Sequence, residues 1–222
     1  MNSSMLLHSL TTAALLGLSA CSTQAQQQRQ VAAFQMVKAS GAVTIHLRQG
    51  ATTEVRVDAV PEVLESVKTE VESGTLTIYR DKNFSLSQLL RNQSVTVYVT
   101  SPQLTSIEVS GASDVKSETP ITADAFSIRA SGASDVTLTL NTQTLTATAS
   151  GASDIKLTGR AGRQQVRISG SSDYRAADLQ SQQADVQASG ASDAYVNVQQ
   201  ELSARSSGAS DVHNKGKARV TR

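Results

Sequence analysis

Ser150-Gly151-Ala152-Ser153-Asp154 is one of six near-identical pentapeptides, the others starting at Ser110, Ser131, Ser169 (as Ser-Gly-Ser-Ser-Asp), Ser189 and Ser207. Their glycines, Gly111, Gly132, Gly151, Gly170, Gly190 and Gly208, follow one another at steps of 21, 19, 19, 20 and 18 residues. A near-constant step one supersecondary unit long is the signature of a solenoid, in which each repeat buries its apolar face only by stacking on its neighbours.

Alignment on the Asp produces columns of distinct chemistry. Val115, Val136, Ile155, Tyr174, Ala194 and Val212 follow it, and Val109, Ala130, Ala149, Ile168, Ala188 and Ser206 immediately precede the pentapeptide. With the Gly and the second Ser they share one parity, which is expected to face inward, the Gly where the interior is narrowest. The opposite parity carries the first Ser, the Ala and the Asp, and beyond it Lys116, Thr137, Lys156, Arg175, Tyr195 and His213. An outer row of carboxylates, Asp114, Asp135, Asp154, Asp173, Asp193 and Asp211, therefore runs beside a partly basic row. A step of 18 to 21 residues divides into two or three strands of about five residues with short turns. The predicted fold is all-β, a parallel β-helix with adjacent backbones about 4.8 Å apart.

The preceding segment, residues 34–106, predicts a more irregular β section of the same stack. Val43–Leu47, Glu54–Asp58, Leu76–Tyr79 and Val95–Val99 alternate apolar and polar residues, the period of a half-buried strand. Pro61 to Val67 suits one or two helical turns with Pro in the first, Asp81 to Asn92 has no clean period and reads as a loop, and Ser40-Gly41-Ala42-Val43 reads as a degenerate first copy of the repeat. A separate small β domain is the alternative for this section. The basic, polar stretch from Val212 onward suits the protection of a last sheet edge.

Composition excludes several function classes. A net charge of +1 with 3% aromatic residues and no Trp speaks against nucleic acid as a partner, which calls for a basic patch with aromatic or helical readers. His46 and His213 lie in no nucleophile motif, no cofactor signature is present, and catalysis is not expected.

The start of the chain speaks to address. Met5 to Ala20 is an apolar run too short to span a membrane and of the length of a signal peptide's hydrophobic part. It ends in Leu18-Ser19-Ala20-Cys21, which resembles the lipobox of bacterial lipoproteins and implies a lipid anchor on Cys21, the only cysteine. The opening residues carry no Lys or Arg, a departure from the usual signal layout. Residues 21–33 then read as a polar tether, and Ser22 rather than Asp points to the outer membrane, facing either the periplasm or the cell surface.

The lipoprotein-like start, the Phe34 to Tyr79 layout and the recurrent Ser-Gly-Ala-Ser-Asp-Val copies together resemble the bacterial family called putative auto-transporter adhesin, head GIN domain, over about Phe34 to His213. The resemblance implies a β-helical surface domain with an adhesive role and no catalytic residues. The expected function is a non-catalytic binding or adhesion module of the cell envelope with an extracellular or periplasmic partner. A structural, self-assembling lipoprotein that forms homo-oligomers is the alternative.

The aspartate row is a candidate cation or contact column. Carboxylates about 5 Å apart repel by roughly 3 kcal/mol at an effective dielectric of 20, and calcium, which takes six to eight oxygens, would relieve that. The competing reading makes the motif a capped bend, its Ser and Asp bonded to turn backbone and its charges answered by Lys116, Lys156 and Arg175. Tyr195, expected outward, and these three cations are the candidate surface contacts. Tyr174 is expected inward.

Overall fold

The computed structural model describes residues 25–81 and 94–221. In chain order it begins with β1 (Ala25–Arg29), β2 (Met36–Ala39), β3 (Thr44–Gln49), β4 (Glu54–Ala59), a single helical turn α1 (Pro61–Leu64), β5 (Val67–Glu72) and β6 (Thr75–Arg80). Next come β7 (Thr96–Ser101), β8 (Ser106–Val109), β9 (Asp114–Ser117) and β10 (Ile121–Ala130). Long strands β11 (Asp135–Ala149), β12 (Asp154–Ile168), β13 (Tyr174–Gly190) and β14 (Asp193–Gly208) follow, then β15 (Asp211–Asn214) and β16 (Arg219–Thr221). They form a β-solenoid of about six turns with coils of about 19 residues.

The expected short strands are replaced by long ones. In β11 the ladder to β12 runs from Asp135↔Asp154 to Ala149↔Ile168 and turns a corner near Asn141–Thr144 on the way. Inward alternation resumes on each side of that corner: Val136, Leu138 and Leu140 are buried before it, Leu145, Ala147 and Ala149 after it. Thr142 turns its hydroxyl to the carbonyls of Asp124 (3.1 Å) and Thr144 (3.0 Å), so the bend keeps its polar groups bonded without leaving the sheet.

Like stacks on like along the interior. Ile107, Ile128, Ala147, Val166 and Val186 form one buried column and Val109, Ala130, Ala149, Ile168 and Ala188 another. Tyr174 is buried as expected, with Ala194 of the next coil beside it. Its phenol donates to Gln164 Oε1 (2.6 Å) and the Gln164 amide donates to Ser181 Oγ (2.8 Å), a polar chain inside an otherwise aliphatic core. Burial holds this phenol protonated well above the ordinary tyrosine range.

Unequal coil lengths are absorbed away from the pentapeptide. Register shifts fall between Lys156 and Thr158 in the β12–β13 pair and between Arg175 and Gln180 in the β13–β14 pair, whereas Gly190↔Gly208 and Ala149↔Ile168 stay paired. The corner keeps its registry because its backbone is the least tolerant part of each coil, as shown below.

The N-terminal strands join the same sheet. β2 pairs with β8 and β3 with β9, both in parallel, so Ser40-Gly41-Ala42-Val43 stands next to the first full copy of the motif. On the other side of this coil lie β6, parallel to β2, and β7, parallel to β3. The next layer is antiparallel, β5 on β6 and β4 on β7, joined by α1, which has Pro in its first turn and buries Val63.

Two expectations need correction, and others fall on undescribed residues. The expected tether over residues 21–33 does not hold at Ala25–Arg29, which is strand β1, antiparallel to β4. Its side chains give no apolar period, but β4 offers an edge of unpaired backbone groups and main-chain bonding needs no apolar side chain. Arg29 Nη2 fastens it to the carbonyls of Leu64 (3.0 Å) and Val67 (3.2 Å). The motif glycines, secondly, are exposed rather than inward. Cys21, the signal-like segment and the expected loop beyond Asp81 lie outside the described residues.

Candidate functional site

The pentapeptide is the corner from which both outer faces of the solenoid diverge. Its glycines have φ between +79° and +85°, the left-handed region that L side chains resist. A Cβ on Gly132, Gly151, Gly170, Gly190 or Gly208 would stand 2.5 to 2.7 Å from the carbonyl oxygen of the preceding coil's glycine. Two independent demands, backbone hand and backbone approach, therefore select Gly at a position that parity alone would turn inward. The second Ser is the residue that does face inward: Ser113, Ser134, Ser153, Ser172 and Ser192 are fully buried. Ser153 Oγ donates to Ser150 O at 2.9 Å, and Ser134, Ser192 and Ser210 close their corners in the same way at 2.9, 3.0 and 2.7 Å. The motif is a repeated bend sealed by its own hydroxyl.

After the corner comes the face that carries all the predicted contact residues. Asp114, Asp135 and Asp154 are paired across β9, β11 and β12, and Lys116, Thr137, Lys156, Arg175, Tyr195 and His213 form the adjacent exposed row. Arg175 bridges Asp154 (3.2 Å) and Asp173 (2.7 Å), and its hydrogen bond to Asp173, with the charge of Asp154, raises its already high pKa. Asp154 and Asp193 also accept the backbone N–H of the next coil's Asp, at 3.4 and 3.2 Å. The carboxylates of Asp154, Asp173 and Asp193 thus have partners inside the protein. Among the described residues no group of three or more His, Cys, Asp or Glu side chains is gathered as a metal site.

This row extends beyond the repeats. Lys116 is paired with His46, His46 with Tyr98 and Tyr98 with Arg56, across β9, β3, β7 and β4. Arg56 lies over the Tyr98 ring at 4.3 Å, and the rings of His46 and Tyr98 are 5.0 Å apart. At the other end the rings of Tyr195 and His213 stack at 4.9 Å. Tyr98 and His46 escape column alignment because their coils lack the motif. Only alternation around Val97 and Ile45 marks them as outward.

Before the corner runs a second face with different electrostatics. Arg129, Thr148, Arg167, Gln187 and Arg205 are in register across β10 to β14, and a groove of about 460 Å³ lies beside Thr148, Arg167, Gln187 and Arg205. The aspartates stand just after the corner, and before it three arginines share the face with Glu108 and Asp185. A larger groove, about 1130 Å³, follows the second corner past Thr122, Asp124, Asn141, Gln143, Arg160 and Gln182. The motif does not by itself point to either groove, because it contributes only its first serines, Ser169, Ser189 and Ser207, to the rim of the smaller one.

Comparison with known proteins supplies the relationship. Residues 33–218 match the family model described as putative auto-transporter adhesin, head GIN domain. No curated protein matches the chain. Similar solved structures include a putative adhesin of Bacteroides fragilis, with a TM-score of 0.77 and 21% identity over 89% of this chain and 96% of that one. A putative lipid binding protein of Parabacteroides distasonis has a TM-score of 0.68 and 17% identity over 89% and 92%. A putative adhesin of the same species has a TM-score of 0.66 and 22% identity over 90% and 93%. At these identities the likeness speaks to fold alone, and no helix among the described residues is long and apolar enough to cross a membrane. The length of the family match, spanning nearly every described strand, means that the chain belongs to the putative auto-transporter adhesin, head GIN domain family.

Proposed function

We propose that this protein is a non-catalytic binding and adhesion module of the cell envelope, exported and held to the outer membrane by lipid on Cys21. One observation carries the reading: a continuous outward row from Arg56 through Tyr98, His46 and Lys116 to Arg175, Tyr195 and His213, presented at backbone spacing by a rigid ladder. Stacked repeats make extended surfaces that suit extended partners. The row mixes cations with aromatic rings, a combination that offers both charge and stacking to a ligand.

The lipid anchor follows from Leu18-Ser19-Ala20-Cys21, and membrane attachment by several acyl chains would be stable where one chain is marginal. The test expresses the full chain and its Arg175→Ala/Tyr195→Ala variant in cells that lack the protein. Attachment of the cells to surfaces and digestion by external protease are then measured. Restored attachment with the wild type, reduced attachment with the variant and digestion on intact cells are the expected results. Equal attachment by both proteins removes this face as the contact, and full protection from protease removes the surface role. A self-assembling structural role would appear instead as concentration-dependent oligomers in light scattering.

A further inference from the structure

We propose that Arg129, Arg167 and Arg205 form a binding row for a linear polysaccharide carrying one carboxylate per disaccharide. This face is separate from the row on which the adhesion reading rests, and the proposal stands on charge placement alone.

The three arginines occupy one register column, Arg129↔Thr148↔Arg167↔Gln187↔Arg205, so a cation recurs at every second coil. With coils about 4.8 Å apart, the charges lie about 9.6 Å from one another along a straight line. That is the scale of two pyranose rings in an extended β-linked chain. The intervening Thr148 and Gln187 are neutral hydrogen-bonding groups, placed where the uncharged sugar of each disaccharide would lie. The groove beside the row is rimmed by Ser169, Ser189 and Ser207, the outer hydroxyls of three successive corners.

The charges are poorly satisfied within the protein. Arg129 stands in register beside Glu108, whose carboxylate is taken by Lys38 at 2.7 Å, and Arg167 faces the amide oxygen of Gln165 at 3.1 and 3.2 Å. Arg205 has only Asp185 at 3.8 Å, and Asp185 is shared with the Gln187 amide at 3.4 Å. Across the corner, by contrast, Arg175 is held by two carboxylates. The arginine face is therefore the one left with net positive charge, and an acidic chain is its complement. A nucleic acid fits less well: one strand places a phosphate about every 3.4 Å, leaving most phosphates between arginines, and no aromatic side chain stands in this column for a base to stack on.

The experiment uses the purified full chain in detergent and a fluorescent hyaluronan octasaccharide, which carries a carboxylate on alternate sugars and spans the roughly 19 Å from the first arginine to the last. Anisotropy titration is expected to show binding that weakens with added salt, while an uncharged chitin oligosaccharide of the same length binds weakly or not at all. Arg129→Gln/Arg167→Gln/Arg205→Gln is expected to lose about tenfold or more in affinity, through the loss of charge-assisted hydrogen bonds. Arg48→Gln, an exposed cation on β3 that lies in neither row, should leave the affinity unchanged, and a melting temperature equal to wild type shows that the triple variant is folded. Should the triple variant melt early, Arg167→Gln alone, with an expected partial loss, decides. The proposal is overturned if hyaluronan does not bind, or if the arginine variants bind as well as wild type. Equally, stronger binding of oligothymidylate or of phosphatidylglycerol vesicles through the same arginines would assign the row to nucleic acid or to a lipid surface instead.

Discussion

Gly151→Ala tests whether the corner selects glycine through its backbone alone. At φ +83° the new side chain costs about 1–2 kcal/mol for the left-handed conformation. Its Cβ would stand 2.7 Å from Gly132 O and 3.1 Å from Gly132 N, both backbone atoms with nowhere to swing. The coils must separate locally, and the first bond to suffer is that from Ala152 N to Gly132 O, 2.8 Å long. Loss of such a bond adds about 1–2 kcal/mol and the stiffer unfolded chain returns about 0.4–1 kcal/mol, giving about 2–3 kcal/mol in all. Gly74→Ala supplies the control, because Gly74 has φ +74° but nothing within 4 Å of its Cβ position. It should cost only about 1 kcal/mol, the conformational share offset by the stiffer unfolded chain. Urea unfolding of both variants measures the difference, and hydrogen exchange at the Ala152 amide locates it. Equal costs for the two substitutions, or undisturbed protection at Ala152, would refute the close-approach argument.

Further outcomes follow from the same structure. Ser153→Ala removes the hydroxyl that seals a corner at 2.9 Å and should cost about 1–2 kcal/mol in urea, with the secondary-structure spectrum unchanged. Tyr174→Phe strands Gln164 Oε1 in the core and should cost about 1–3 kcal/mol, much of it recovered in Tyr174→Phe/Gln164→Met/Ser181→Ala, where the whole buried polar chain is gone. The phenol is held above its ordinary pKa of 10.0 by burial, so the unfolded chain loses that proton first as pH rises. Its contribution is complete below pH 10 and declines above it by up to about 1.4 kcal/mol per pH unit, a decline that Tyr174→Phe should lack relative to wild type. Millimolar calcium should leave the melting curve unchanged, since Arg175 and backbone N–H groups already engage Asp154, Asp173 and Asp193; a large rise reversed by chelator would restore the cation ladder. Arg175→Ala should cost under about 1 kcal/mol, the usual scale of an exposed ion pair, and less still at high salt.

Much of the architecture is readable from one repeated step and one alternation. The spacing of Gly111 to Gly208 sets the coil, and the columns led by Ile107, Val109 and Val115 are buried where parity places them except in the last coil, where Ser206 is exposed and Val212 half-buried. The outward placement of Lys116, Lys156, Arg175 and Tyr195 is readable in the same way. These features are local consequences of a period-two backbone, which a linear sequence records directly. Parity fails at Gly151 and its equivalents because a left-handed residue breaks the alternation that defines parity, and only the preceding coil's carbonyl reveals why no side chain is tolerated there. β1 shows the same limit from the other side: Gln26 to Gln28 carry no apolar period, and their strand exists because β4 presents an open edge.

The repeat, the β-solenoid and most of the inward columns are legible in the chain alone, because each is encoded within a coil. The stacking of coils sets which non-repeating strands continue the outer rows, that Arg175 joins two carboxylates of successive coils, and that Arg129, Arg167 and Arg205 share one column before the corner. Those depend on register between segments as distant as Tyr98, His46 and Lys116, which is set by hydrogen bonding across the stack and leaves no mark on any one stretch of chain.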